Sequence, residues 1–393
     1  MKALASGAFL VVAAAGVGCS DTTSPADSGG AGSRTDAAAS APDGGVTSGH
    51  ADGSATPADG SAVEAAAPDG PTADAATADQ ATTDAAAADG DSAAAAMLTM
   101  PVQRGGLDVL EFGPLSFSVN PMIGARIVSF KLDGDELLTD PTANAMYYGS
   151  TLWTSPASDF VTTGFSPPVV IDSDPYTTKV GADGVITATS APYTTMSGKK
   201  FSVTKAFTAD IANQAIVIDY TITNTGTTTF QISHWEVTRV FPDGLTFFPA
   251  GMTVKPNILA QPMNLQQAGG YTWYDNKTHI AMKGESKGAS DSQGGYIAQI
   301  SPHPKGDLLF IKAFKAILPN MTPPAPDNFE IEIFCNSPHT YVELEEYSAY
   351  TSIAPGMGYT QTVHWYLRRL PVGTDNSVGS AMLIAAEKAV LGK

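Results

Sequence analysis

Two stretches of this sequence carry ionisable side chains at alternate positions, and alternation is what an extended strand needs to bring them to one face. In FQISHWEVTRVF, residues 230–241, period two puts His234, Glu236 and Thr238 on one face and Trp235, Val237 and Arg239 on the other. Both faces therefore hold ionisable groups. Either one face lines a cavity, or the polar side chains form a structural network in which Glu236 pairs with a lysine or arginine. In TYVELEEYSAY, residues 340–350, Glu343 and Glu345 share a face with Tyr341 and Tyr347, while Val342, Leu344 and Glu346 take the other. Two carboxylates so placed repel each other. They lie in water as an exposed strand edge, or a cation or ligand holds them; in the second case crowding raises one pKa toward the range useful for proton transfer.

A third group is aromatic. NAMYYGSTLWTSPASDF and GGYTWYDNK bring Tyr147, Tyr148, Trp153, Tyr271, Trp273 and Tyr274 into two segments read as loops. Aromatic loops at the ends of a β-sandwich suit the apolar faces of sugars, and they also serve as ordinary core plugs. Of the six histidines, His50 falls in a low-complexity region, leaving His234, His279, His303, His339 and His364, of which His234 is the informative one. There is no nucleotide fingerprint, phosphate loop, HExxH or cysteine–histidine cluster at metal spacing, so no metal and no organic cofactor is expected.

The elements that must position these groups are strands. From Met97 onward, runs rich in Val, Ile, Phe, Tyr and Thr alternate with Gly, Pro, Asp and Asn breaks. The clear cases are Leu115–Val119, Arg126–Leu132, Val185–Thr189, Phe201–Ala209, Ala215–Asn224, Phe230–Phe241, Leu308–Phe314, Phe329–Phe334, Tyr341–Tyr350 and Tyr359–Leu370. Asp133–Gly134 and Asp183–Gly184 fall between such runs as hairpin turns. The segment from Ser377 to Leu391 reads as a helix with Met382, Leu383, Ala386, Ala389 and Val390 on its apolar face. The predicted fold class is all-β: antiparallel sheets in a sandwich, with one short C-terminal helix.

The N-terminal region is of another kind. MKALASGAFLVVAAAGVGCS has one lysine, an apolar run and small residues before Cys19, the layout of a secretory signal over residues 1–18. Gly16, Val17, Gly18 and Cys19 resemble the lipobox of bacterial lipoproteins, with Gly16 where Leu is usual, and Ser20 resembles the signal for outer-membrane export. An ordinary signal with an incidental cysteine is the other reading. The resemblance implies a lipidated Cys19, a cell-envelope location and membrane contact through the anchor alone.

Residues 19–97 are almost entirely Ala, Asp, Gly, Ser, Thr and Pro, without aromatics, and are predicted to form a disordered tether. Thirteen acidic residues and one arginine lie there, so twelve of the chain's 18 net negative charges belong to the tether. The mildly acidic domain 98–393 is thus no nucleic-acid binder. Its Cys335 has no disulfide partner once Cys19 carries lipid; a buried small hydrophobe and a reactive thiol are its two readings.

The segments IGARIVSF, YYGSTLWTSP, ISHWEVTRVFPDGLTFFP and YVELEEYSAY…PG…VHWYLRRLP resemble the bacterial domain of unknown function 4380, itself similar to the galactose mutarotase-like β-supersandwich. The likeness spans about Leu107 to Pro371. It implies a saccharide ligand and roles for particular residues. His234 and Glu345 would be catalytic, Glu345 taking the proton from an anomeric hydroxyl while His234 protonates the ring oxygen. Arg126 matches an arginine that helps hold the sugar, and Trp153 or Ser155 stands where mutarotases carry a further histidine. Asp275 is a candidate for the aspartate that orients the substrate. Glu236, Arg239 and Glu343 complete the expected substrate-binding set. Glycan binding without turnover, and a structural envelope protein, are the alternatives that fold resemblance leaves open.

Overall fold

The computed structural model describes residues 100–160, 166–259, 261–277, 284–319, 321–326 and 328–393. The signal, Cys19, the tether and His279 lie outside the described residues.

The described chain is an all-β sandwich with one short C-terminal helix, and its strands pair antiparallel in two sheets. Along the main path of the 12-stranded first sheet the order is Val102–Arg104, Leu107–Phe112, Leu115–Asn120, Arg126–Leu132, Ser150–Ser155, Phe230–Val240, Val342–Tyr347, Ile331–Cys335, Ser286–Ser290, Val254–Lys255. The 11-stranded second sheet runs Leu265–Ala268, Tyr271–Asp275, Leu245–Pro249, Tyr296–Ser301, Leu308–Phe314, Gly358–Arg369, Ala215–Asn224, Lys200–Asp210, Ile186–Thr189, Thr177–Val180. At the Asp133–Gly134 turn both residues take positive φ, 51° and 84°, the backbone a two-residue hairpin needs to follow the twist of its strands.

The inner faces meet through aromatic rings. Phe117 and Phe130 of the first sheet interdigitate with Phe207, Phe310 and Trp365 of the second, at centroid separations between 5.7 and 6.2 Å. Truncating such a side chain to Ala costs about 3–5 kcal/mol.

The outer face of the second sheet is closed by the helix Ala381–Leu391, which Ser380 caps through Leu383 N–H and Gly392 ends at φ 67°. Leu383, Ile384, Ala386, Val390 and Leu391 pack on Tyr271, Trp273 and Tyr296. The expected helix face is corrected at two places: Met382 and Ala389 are exposed, because the face that meets the sheet is centred on Leu383 and the buried Glu387, which accepts a hydrogen bond from Tyr271 Oη at 2.9 Å.

Two further expectations change. Ser150–Ser155 and Tyr271–Asp275, read as aromatic loops, are strands inside the sheets, and Tyr341–Tyr350 shortens to Val342–Tyr347, with a separate short strand Thr351–Ile353 after it. Both aromatic segments alternate in the structure: Trp153 faces out of its sheet while Leu152 enters the core.

Candidate functional site

The outer face of the first sheet holds the polar and aromatic groups. Trp235 pairs across with Tyr347 and with Trp153, Val237 with Glu345, Arg239 with Glu343, Glu345 with Glu332, and Phe334 with Lys287. Residues directly opposite in a sheet point the same way, so these side chains form one surface. They surround a cavity of about 390 Å³, walled by Tyr147, Trp153, Trp235, Phe334 and Tyr341, with Glu343, Glu345, Lys287 and the exposed Glu285 as its ionisable lining. That volume falls in the range of about 300–1,000 Å³ typical of small-ligand sites.

Its aromatic walls are fixed. Trp235 stacks on Tyr347 at 5.4 Å and meets Trp153 edge-on at 5.0 Å. Asp172, at the end of the short helix Val169–Asp172, accepts hydrogen bonds from Trp153 Nε1 at 2.8 Å and from Arg126 Nη2 at 3.0 Å. Arg126 Nη1 donates to the carbonyl of Met146 at 2.7 Å, beside Tyr147. Arg126 thus holds two walls in place without itself lining the cavity. Arg239 lies behind it, its guanidinium against the rings of Tyr147, Trp153 and Tyr341 and its Nε donating to Glu343 Oε1 at 2.7 Å.

The floor is ionic. Lys287 Nζ lies 2.6 Å from Glu332 Oε2 and 2.9 Å from Glu345 Oε2, and Glu345 Oε2 also accepts from Trp235 Nε1 at 2.6 Å and Tyr347 Oη at 3.1 Å. Glu345 Oε1 is buried and has no hydrogen-bond partner among the described residues. Burial alone would lower the Lys287 pKa, but the charges of Glu345 and Glu332 outweigh it and hold the ammonium above its ordinary value. Burial, and then the charge of Glu345, push the Glu343 carboxyl up to about 7 against the pull of Arg239. Burial likewise raises Glu332, with Lys287 opposing it and Glu345 adding to it.

Of the expected site residues, Trp153, Glu343 and Glu345 meet at this cavity, and Arg126 and Arg239 stand behind its walls. Three are placed elsewhere. His234 and Glu345 do not share a concavity: with Val237 opposite Glu345 and Glu236 opposite Glu346, His234 points to the inner face. There its ring lies 4.8 Å from that of Tyr359 on the second sheet and its Nδ1 is 3.1 Å from Ser348 Oγ; burial drops its pKa to about 3, so the ring is neutral. The expected His234–Glu345 acid–base couple is therefore corrected, because a full sheet separates the two side chains.

Glu236 is also internal. It lies 3.3 Å from Lys312 Nζ and accepts from Tyr220 Oη and Ser150 Oγ, each at 3.1 Å, so the structural network is the reading that holds. Asp275 belongs to the second sheet, at the rim of a separate cavity beside Lys277 and Asn376. Cys335 is buried in the core next to Tyr274 Oη at 3.1 Å, and burial raises its thiol to about 12, well away from reactivity.

Sequence reasoning missed Lys287, Glu332 and Asp172. Glu332 was legible, since FEIEIFC alternates acidic and apolar residues. Lys287 sits in GESKGASDS, whose composition reads as a loop.

No protein-family profile and no curated protein matches this chain, so the likeness to the domain of unknown function 4380 rests on the segments quoted for it. Among solved structures, a galactose mutarotase-like protein from Lactobacillus casei ATCC 334 is 10% identical at a TM-score of 0.48, covering 67% of this chain and 100% of its own. A putative aldose 1-epimerase from Escherichia coli K12 is 15% identical at 0.46, covering 67% and 99%. The Slr1438 protein from Synechocystis sp. PCC 6803 is 12% identical at 0.48, covering 68% and 97%. At these scores the likenesses carry no argument about what this chain does.

Proposed function

We propose that this chain is a cell-envelope lipoprotein, anchored through Cys19 in the outer membrane, whose β-sandwich binds a saccharide on the outer face of its first sheet. The observation that carries the reading is the cavity of about 390 Å³ in which Trp153, Trp235 and Tyr341 supply flat apolar walls and Glu343 and Glu345 supply acceptors. A pyranose presents the same division: an apolar face of C–H groups and a rim of hydroxyl donors. With His234 on the inner face, the cleft is read as a binding site, and anomeric interconversion through His234 and Glu345 is not part of the proposal.

The test is a titration of the full chain with hexoses, hexuronates and amino sugars, followed by tryptophan fluorescence. A saturable change that Trp153→Ala and Glu345→Gln each weaken supports the reading; a flat response to every sugar contradicts it. The anchor is tested separately by fractionation, where Cys19→Ser should release the chain from the membrane.

A further inference from the structure

We propose that the cleft selects a cationic saccharide, an amino sugar whose protonated amine is received by Glu345 Oε1. This rests on the saccharide reading and narrows it to a substrate class. Among the described residues, four carboxylates meet at or directly beneath the cavity, Glu285, Glu332, Glu343 and Glu345, against two cations, Lys287 and Arg239. Arg239 is engaged by Glu343, and Lys287 is shared between Glu332 and Glu345. In formal charge the carboxylates exceed the cations of the cleft by two.

The surplus has a defined direction. Glu345 is fully buried, its Oε2 is occupied by Trp235, Lys287 and Tyr347, and its Oε1 has no partner while the side chain lines the cavity. A buried carboxylate oxygen without a donor is costly, and a donor arriving in the cavity relieves that cost. A neutral hydroxyl supplies the hydrogen bond alone, an ammonium supplies hydrogen bond and charge together, and a sugar carboxylate adds repulsion. Burial, and then the charge of Glu345, raise Glu343 against the pull of Arg239. An ammonium bound beside it favours the ionised form, so binding should release protons.

The experiment compares glucosamine, N-acetylglucosamine, glucose and glucuronate by calorimetric titration of the full chain near neutral pH, repeated with Glu345→Gln and Glu285→Gln. Glucosamine should bind about tenfold or more tightly than its N-acetylated and neutral counterparts, and each variant should shrink that preference. Glu285 is exposed, so Glu285→Gln reports on charge even if Glu345→Gln fails to fold. Equal affinity for glucosamine and glucose, or tighter binding of glucuronate, overturns the amino-sugar proposal and leaves the saccharide reading standing. Binding of none of the four overturns both.

Discussion

The two faces of the first sheet are built from the same strands and carry similar acidic side chains, yet they use them differently. On the inner face Lys312 lies 2.8 Å from Glu346 and 3.3 Å from Glu236, with Tyr220 and Ser150 donating to Glu236, all of them buried between the sheets. On the outer face Lys287 likewise holds two buried carboxylates, Glu332 and Glu345, but here Lys287 and Glu345 line a cavity. A lysine shared by two glutamates is thus closed between the two sheets on the inner face and adjoins a cavity on the outer one. The difference is the covering layer.

The largest effect should come from breaking the inner tie. Lys312→Met leaves Glu236 and Glu346 buried without a cation, and the cost expected is about 3–5 kcal/mol, read as a shift of the denaturant unfolding midpoint. A variant as stable as the parent would show that the two carboxyls are neutral without Lys312. The outer counterpart is milder for stability, because Gln keeps an acceptor and Lys287 keeps Glu332, and severe for binding: Glu345→Gln should weaken amino-sugar affinity about tenfold and cost about 1.5–3 kcal/mol of unfolding free energy.

Acidification separates the faces next. Glu343 has Arg239, Glu345, Lys287, Tyr147 and Tyr341 around it and is raised to about 7. Between its unfolded value and 7 the folded carboxyl keeps a proton that the unfolded one has lost. Taking the pH from 7 to about 5.5 should therefore reduce amino-sugar affinity several-fold as Glu343 neutralises, the sugar's amine staying charged throughout. Affinity independent of pH over that range would remove Glu343 from the site.

The inner face predicts the smallest change. His234→Gln should leave sugar affinity within about twofold, since the ring lies behind the sheet, while altering how stability depends on acid. The folded pKa of about 3 lies below the unfolded value, so the unfolded chain binds the extra proton. Stability is full above about 6.5 and declines as pH falls toward 3, by up to about 1.4 kcal/mol per pH unit from this one group. Losing sugar binding in His234→Gln would put the histidine back in the cleft and contradict the register.

That register explains how far the site was legible. Period two correctly sorted Trp235 with Arg239, and Glu343 with Glu345 and Tyr347, because alternation is local. Which of those sets share a surface depends on how the two strands pair, and sequence spacing does not fix this. Val237 lies opposite Glu345; a slip by one residue would have put Glu236 there and turned His234 toward the cleft. Asp275 was misplaced for a related reason, since its strand pairs with Leu245–Pro249 in the other sheet, a long-range choice invisible in YTWYD itself. The strands with strong apolar alternation, Arg126–Leu132, Ala215–Asn224 and Leu308–Phe314, were readable to the residue. Ser150–Ser155 was not, because STLWTS has too few apolar residues to announce a central strand whose outer face walls a cavity.

The most direct test of the account is a crystal structure of the chain grown with glucosamine. The account predicts the sugar in the outer cleft of the first sheet, its ring against Trp153 or Tyr341 and its amine within hydrogen-bond distance of Glu345 Oε1. An empty cleft at saturating sugar, or glucosamine bound at another surface, would contradict it.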